Sequence, residues 1–255
     1  MVGRATPVLS PRRTLALVAL TVGLVAYGAV AGRLWELPSG FDVAVQSLVV
    51  FPAFAAAIWL ALPLAHGSSG VLLGAAAAGG GLAVGLALLE LGSASNVAKL
   101  AGFALLGFWF LSLFEELWWV AAVSLVIPWV DIWSVAAGPT RYVVEQKPGF
   151  FEHISIAFPN PGETASVNIG PPDVIFFALF LAAADHFRLR VAWTWIAMTG
   201  FLALTLALVW KLEASGLPAL PAVSLGFLLP NADVIWRNVR DARAAARERS
   251  ETSSS

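Results

Sequence analysis

Eight apolar runs, separated by polar or Gly/Pro-rich breaks, set the limits on what this chain can fold into. They extend approximately over Leu15 to Ala31, Val43 to Ala65, Val71 to Leu91, Ala98 to Leu113, Leu117 to Ala137, Asp173 to Phe187, Val191 to Trp210 and Leu217 to Val234. A helix crosses a bilayer with about 17–25 mostly apolar residues, so the pattern predicts an all-α polytopic membrane protein with about eight transmembrane helices. Ala98 to Ala137 reads as two helices, because a single one would be about 60 Å long. Charged residues make up 12% of the chain, against about 25% in a typical soluble domain. The absence of Cys excludes a disulfide scaffold, a thiolate metal site and a cysteine nucleophile. A net charge of −1 argues against a nucleic-acid partner.

Arg4, Arg12 and Arg13 precede the first run in the manner of a cleaved signal peptide. That run of about seventeen residues exceeds the usual apolar region of such a signal, so it is expected to stay as an anchor. With the N-terminus inside, ten basic residues fall on the cytoplasmic side: Arg4, Arg12, Arg13, Arg188, Arg190, Arg237, Arg240, Arg243, Arg247 and Arg249. Five fall outside: Arg33, Lys99, Arg141, Lys147 and Lys211. The positive-inside rule then predicts cytoplasmic N- and C-termini, and the absence of an organelle address points to a prokaryotic plasma membrane. Arg237, Arg240, Arg243 and Arg247 recur at helical intervals, which suggests a tail resting on anionic lipid. The final Ser250 to Ser255 segment reads as a disordered end. The Gly/Ala-rich face between Gly74 and Gly85 would permit close helix packing.

The long non-helical segment is Gly138 to Pro172. Phe150 to Ala157 and Thr164 to Ile169 have β-compatible patterns, and Pro159-Asn160-Pro161-Gly162 between them is a strong turn signal. A small β-hairpin over the outer membrane face is expected, and its exposed edge could pair with an extended peptide.

Two carboxylates flank this loop. Asp131 lies six residues before the end of its run, roughly 9 Å deep at 1.5 Å per residue. Asp173 opens the next run. The two helices are antiparallel, so both carboxylates belong to one membrane half, and their depths match if Asn168 to Pro172 dips inward beside a wet cavity. Two carboxyl groups at close range cannot both ionise, leaving an acid and a base that share a proton. One can deprotonate a water while the other polarises a peptide carbonyl. The plainer alternative is that Asp131 hydrogen-bonds a neighbouring helix and Asp173 caps its own.

Three landmarks in order resemble the presenilin and signal peptide peptidase family of intramembrane aspartyl proteases. Val130-Asp131-Ile132-Trp133 looks like the family's Tyr-Asp helix, Gly170-Pro171-Pro172-Asp173 like its Gly-x-Gly-Asp motif, and Leu217-Pro218-Ala219-Leu220 matches its Pro-Ala-Leu motif. The resemblance spans about 98–231. It implies an endopeptidase in which Asp131 and Asp173 are catalytic, with Gly170, Pro171, Pro172, Pro218, Ala219 and Leu220 shaping the site. Its substrates would be transmembrane or signal-peptide helices, and its partner the surrounding membrane lipid, with no metal or organic cofactor. The organisation is then 1–97 as scaffold helices, 98–236 as catalytic-type helices with loop 138–172, and 237–255 as the basic tail. Pro218 and Pro221 would loosen the start of the last helix and expose backbone groups near the aspartates. Val130 stands where the family has Tyr, Pro172 where it has Gly, and the family norm is nine spans. Those departures fit the alternative of an inactive homologue serving as a membrane binding protein or small-solute transporter.

Glu115-Glu116 resembles the paired glutamates of the CAAX-processing membrane proteases, but Val120 occupies that pattern's Arg position and His153 lies in the loop. The pair is expected instead to mark a helix hairpin at the cytoplasmic surface. His66, His153 and His186 lack metal-ligand spacing. Asp185 is expected to pair with Arg188 or Arg190 at the surface, and Glu90 to be interfacial. The tryptophans, among them Trp118, Trp119, Trp129 and Trp133, fit an aromatic belt or helix packing.

Overall fold

The computed structural model describes residues 9–38, 40–138, 148–162, 166–212 and 217–252. The protein is an all-α polytopic membrane protein; among the described residues it carries one small antiparallel hairpin and six helices long and apolar enough to cross a membrane. Helix α1 (Pro11–Val30) is started by Ser10, whose hydroxyl accepts the Arg13 N–H at 3.4 Å, with Pro11 in the first turn. The continuous segment α2 (Phe41–His66) contains a π-helical stretch at Gln46–Val50. Pro52, one residue beyond it, cannot donate to the Leu48 carbonyl four residues earlier, which relaxes the ladder at that point.

Helices α3 (Ser69–Leu88) and α4 (Gly92–Leu111) form a tight antiparallel pair. A Cβ on Gly79 would lie 3.0 Å from the Gly102 Cα, so only small residues allow this approach. Helix α5 (Leu117–Ala137) follows the Glu115-Glu116 link. Next come the short α6 (Pro148–Ile154), strands β1 (Ile156–Pro159) and β2 (Ser166–Ile169), and helices α7 (Pro171–His186), α8 (Val191–Lys211) and α9 (Leu220–Thr252).

The core is built around α7. Nine of its sixteen residues are buried, including Phe177 and the run Ala178 to Ala184. Backbone meets backbone where α4 crosses it, since a Cβ on Gly107 would collide with the Ile175 carbonyl oxygen. Phe180 stacks on Phe227 of α9 with centroids 4.9 Å apart. At sixteen residues α7 is about 24 Å long, short of the roughly 30 Å hydrocarbon thickness. Asp173 on its first turn therefore need not reach the headgroups.

The hairpin pairs Ile156 with Ile169 through to Pro159 with Ser166. Its turn depends on Gly162, at φ +76°, whose N–H donates to the Ala31 carbonyl at 2.8 Å. A side chain there would meet the Glu36 backbone, so glycine is required by space as well as by conformation.

Four expectations are corrected. Phe150 to Ile154 is helical, so the first strand begins only at Ile156; a short apolar run does not reveal its own period. The fourth helix begins at Gly92 instead of Ala98, which places Lys99 two turns inside it. The last helix begins at Leu220 instead of Leu217. It then runs unbroken to Thr252, so Ser250 to Thr252 continue the helical tail that the arginine spacing predicted. Expectations for Arg4, Arg141, Lys147, Thr164 and Ser253 to Ser255 lie outside the described residues.

Candidate active site at the start of the last helix

Pro218 and the non-helical Leu217–Ala219 segment delay the start of α9 until Leu220. The first N–H groups of a helix have no intrahelical acceptor, and the helix dipole makes that end attractive to an anion. Asp131 of α5 occupies this place. Its Oδ2 accepts the Leu220 N–H at 3.0 Å, and the Ala219 backbone supplies a second hydrogen bond. Pro128, one turn earlier in α5, removes the bond that would otherwise go to the Ser124 carbonyl, which loosens the helix just before the aspartate.

Asp173 is the third residue of α7, after Pro171 and Pro172. Its Oδ2 accepts the Gly170 N–H at 3.2 Å, tying the helix start to the end of β2. Asp173 also feels the charge of Asp131, so the two carboxyl groups stand within electrostatic reach of each other. Both are partly buried, and among the described residues neither pairs with a basic side chain. Helices α5 and α7 touch each other little; α9 packs against both and bridges them.

All eight site residues expected from sequence thus fall into two groups. Asp131 meets Ala219 and Leu220 behind Pro218, and Asp173 closes on Gly170 across Pro171 and Pro172. The two residues that depart from the resembled pattern are both exposed. Val130 is 49% exposed on the outer face of α5. Pro172 is exposed within the first turn of α7, where its missing N–H would have had no helical acceptor.

Sequence reasoning missed a polar cluster around the hairpin. Tyr27, Gln46 and Asn96 donate to carbonyl groups of β1, and Lys99 donates to the Ser155 carbonyl just before it. The available signal was polar side chains inside apolar runs, with Asn96 and Lys99 three apart on one helix face.

At the opposite end of the bundle, Asp185 pairs with His66 at 2.9 Å instead of with Arg188 or Arg190. Arg190 grips Asp233 of α9 with two bonds of 2.6 and 2.9 Å. The buried Asn231 bonds the Thr194 hydroxyl and accepts the Arg190 backbone N–H. Glu115 and Glu116 lie in the α4–α5 link as expected, with Glu116 accepting the Trp118 indole N–H. Trp118 and Trp119 stack on each other.

No protein-family model matches this chain, and no curated protein matches it. A groove between α2 and α8 is lined by Gly40, Val43, Ala44, Leu48, Ala203 and Trp210 among others. Its polar side chain, Ser47, is engaged with the Ala203 carbonyl at 3.5 Å, so the groove offers little to a polar solute.

Proposed function

We propose that this protein is an intramembrane aspartyl endopeptidase resembling presenilin and signal peptide peptidase, cleaving transmembrane or signal-peptide helices. The observation that carries the reading is the bond from the Leu220 N–H to Asp131, with Asp173 within electrostatic reach. That bond joins two of the three separately weak motifs, Val130–Trp133 and Leu217–Leu220. In this reading the two carboxyl groups share a proton, one ionised and one protonated. The ionised member takes a proton from water as the oxygen attacks a peptide carbonyl polarised by the other. The tetrahedral species then breaks its C–N bond, the amine leaving with a proton and the other product keeping the new carboxyl group.

A helical substrate must unwind first, because its carbonyls are already bonded and its backbone is shielded. Strand β2 offers a place for the unwound segment. Asn168 and Ser166 turn their backbone groups away from β1, and this edge leads through Gly170 into Asp173. In this reading both termini are cytoplasmic, the hairpin faces outward, and the membrane is a prokaryotic plasma membrane.

A second reading rests on a specific observation: each carboxyl group already caps a helix, Asp173 its own and Asp131 that of α9. The aspartates would then be braces in a noncatalytic membrane binding protein or transporter. Incubating the purified protein with a reporter transmembrane peptide separates the two. Cleavage that disappears in both Asp131→Asn and Asp173→Asn supports proteolysis; a wild-type protein inert toward varied peptides across pH 4–8 refutes it.

A further inference from the structure

The carbonyl groups of Ser155, Ala157 and Pro159 recur at every second residue along the side of the hairpin away from β2. Each is occupied by a side chain. Lys99 Nζ donates to Ser155 at 2.8 Å, and Asn96 Nδ2 donates to Ala157 at 3.0 Å. Tyr27 Oη and Gln46 Nε2 donate to Pro159 at 2.8 and 3.0 Å. Asn96 also accepts the Ala157 N–H at 3.4 Å, and Pro159 has no N–H to offer.

Four side chains from α1, α2 and α4 thus do along β1 what a third strand would do. Gln46 is fully buried, and its amide additionally donates to Asn160 Oδ1 at 3.1 Å. Lys99, a cation beside apolar runs, bonds a carbonyl and the Asn96 amide oxygen, and no carboxylate partner is present among the described residues. The buried Ser155 passes the connection to β2 by donating to Asn168 Oδ1 at 3.1 Å. Asn168 lies two residues before Gly170, whose N–H binds Asp173.

We infer that Asn96 and Lys99, with Gln46 and Tyr27, are positioning residues that close the β1 edge as a mock strand, fixing the hairpin against α4 and leaving strand addition to β2. The geometry favours a fixed template over a swinging flap. A flap would have to release all four donors and leave the fully buried Gln46 amide without its acceptors, which is costly. The spacing suits the task. Asn96 and Lys99 are three residues apart on α4, a rise of about 4.5 Å, and the flexible lysine stem makes up the rest of the roughly 6.6 Å between alternate strand residues. The clamp itself is independent of the protease reading; its effect on cleavage rests on that reading.

Hydrogen exchange of the full-length protein in lipid nanodiscs tests the clamp without any substrate. Asn96→Ala and Lys99→Met should each raise amide exchange in Ile156–Pro159 and Ser166–Ile169 by about tenfold, leaving the protected amides of Phe177–Ala184 unchanged. Lys99→Arg, which keeps a donor, should restore most of the protection. If hairpin exchange in Asn96→Ala and Lys99→Met equals wild type, the clamp is refuted whatever the protein cleaves. If Lys99→Met loosens α7 equally, Asn96→Ala decides, because it leaves the cation in place. Where the wild type cleaves a reporter peptide, the clamp predicts a KM rise of about fivefold or more with kcat changed less than about twofold, since uniform binding is what a positioned edge provides. A fall in kcat alone would overturn the positioning role while leaving the protease reading standing.

Discussion

Helix α7, which carries Asp173, is enclosed by α4, α8 and α9 and buries nine of its sixteen residues. Helix α5, which carries Asp131, buries only four of twenty-one, and all four precede Pro128. Beyond that proline α5 turns Trp129, Val130, Ile132 and Trp133 outward. The tie described at this depth is the hydrogen bonding of Asp131 to the start of α9. One aspartate is therefore set by the core and the other by a helix terminus. The difference teaches that the spacing of the pair is governed by where α9 begins, which Pro218 determines.

The comparison breaks first at the carboxyl groups. If they act as a pair, Asp131→Asn and Asp173→Asn should each reduce reporter-peptide cleavage by about 10³-fold or more, the range expected for losing a general acid or base in a concerted unit. The two losses should not add in the double variant. An additive double variant, measured by the same cleavage assay, would mean that the two groups work independently.

Next in size is the core side of the contrast. Phe180 on α7 is fully buried and stacked on Phe227, so Phe180→Ala should cost about 2–4 kcal/mol through lost packing and a cavity. Trp129→Ala on α5, with Trp129 73% exposed, should change stability by less than about 0.5 kcal/mol. Unfolding in mild detergent reads both. Equal costs would show that α5 is held by contacts beyond α9.

A third experiment isolates the tie itself. Leu220→Pro deletes the N–H that Asp131 receives while keeping a residue that suits the first turn of a helix. Hydrogen bonds to charged groups contribute about 1.5–3 kcal/mol, so in the protease reading cleavage should fall by roughly 10–100-fold. Leu220→Ala, which keeps the N–H, should lose less and serves as the control for the buried side chain. If the two variants behave alike, the side chain, and not the bond to Asp131, holds the site.

How much of this could be read from the residues divides along physical lines. The eight runs, the turn at Pro159 to Gly162 and the helical continuation through the arginines were legible, because hydropathy, proline and helical spacing act locally. The start of α4 was hidden. Ser93, Ser95 and Asn96 lower the hydropathy there, yet Ser95 bonds the Ala83 carbonyl and Asn96 bonds β1, so the segment is satisfied by partners distant in sequence. The choice between helix and strand at Phe150 to Ile154 was equally closed to a pattern only a few residues long. Asp131 and Asp173 could be named from their positions, but the donor to Asp131 comes from a helix 89 residues away. Proximity in sequence points Asp185 to Arg188 or Arg190, whereas the fold presents His66.

The smallest effect is the one that bears on the family resemblance. Val130 stands where that family has tyrosine, and the missing hydroxyl would matter if the residue faced the carboxyl pair. On a helix, adjacent residues are about 100° apart, and Val130 is 49% exposed while Asp131 turns toward α9. A tyrosine in its place would add its ring to an outer face already rich in tryptophan and displace nothing buried. Val130→Tyr should therefore leave stability within about 0.5 kcal/mol and cleavage within about threefold of wild type. A gain of tenfold or more would mean that the new hydroxyl reaches the carboxyl groups, so that α5 rotates when substrate binds. That outcome would sharpen the contrast with α7, whose burial leaves no room for such a turn.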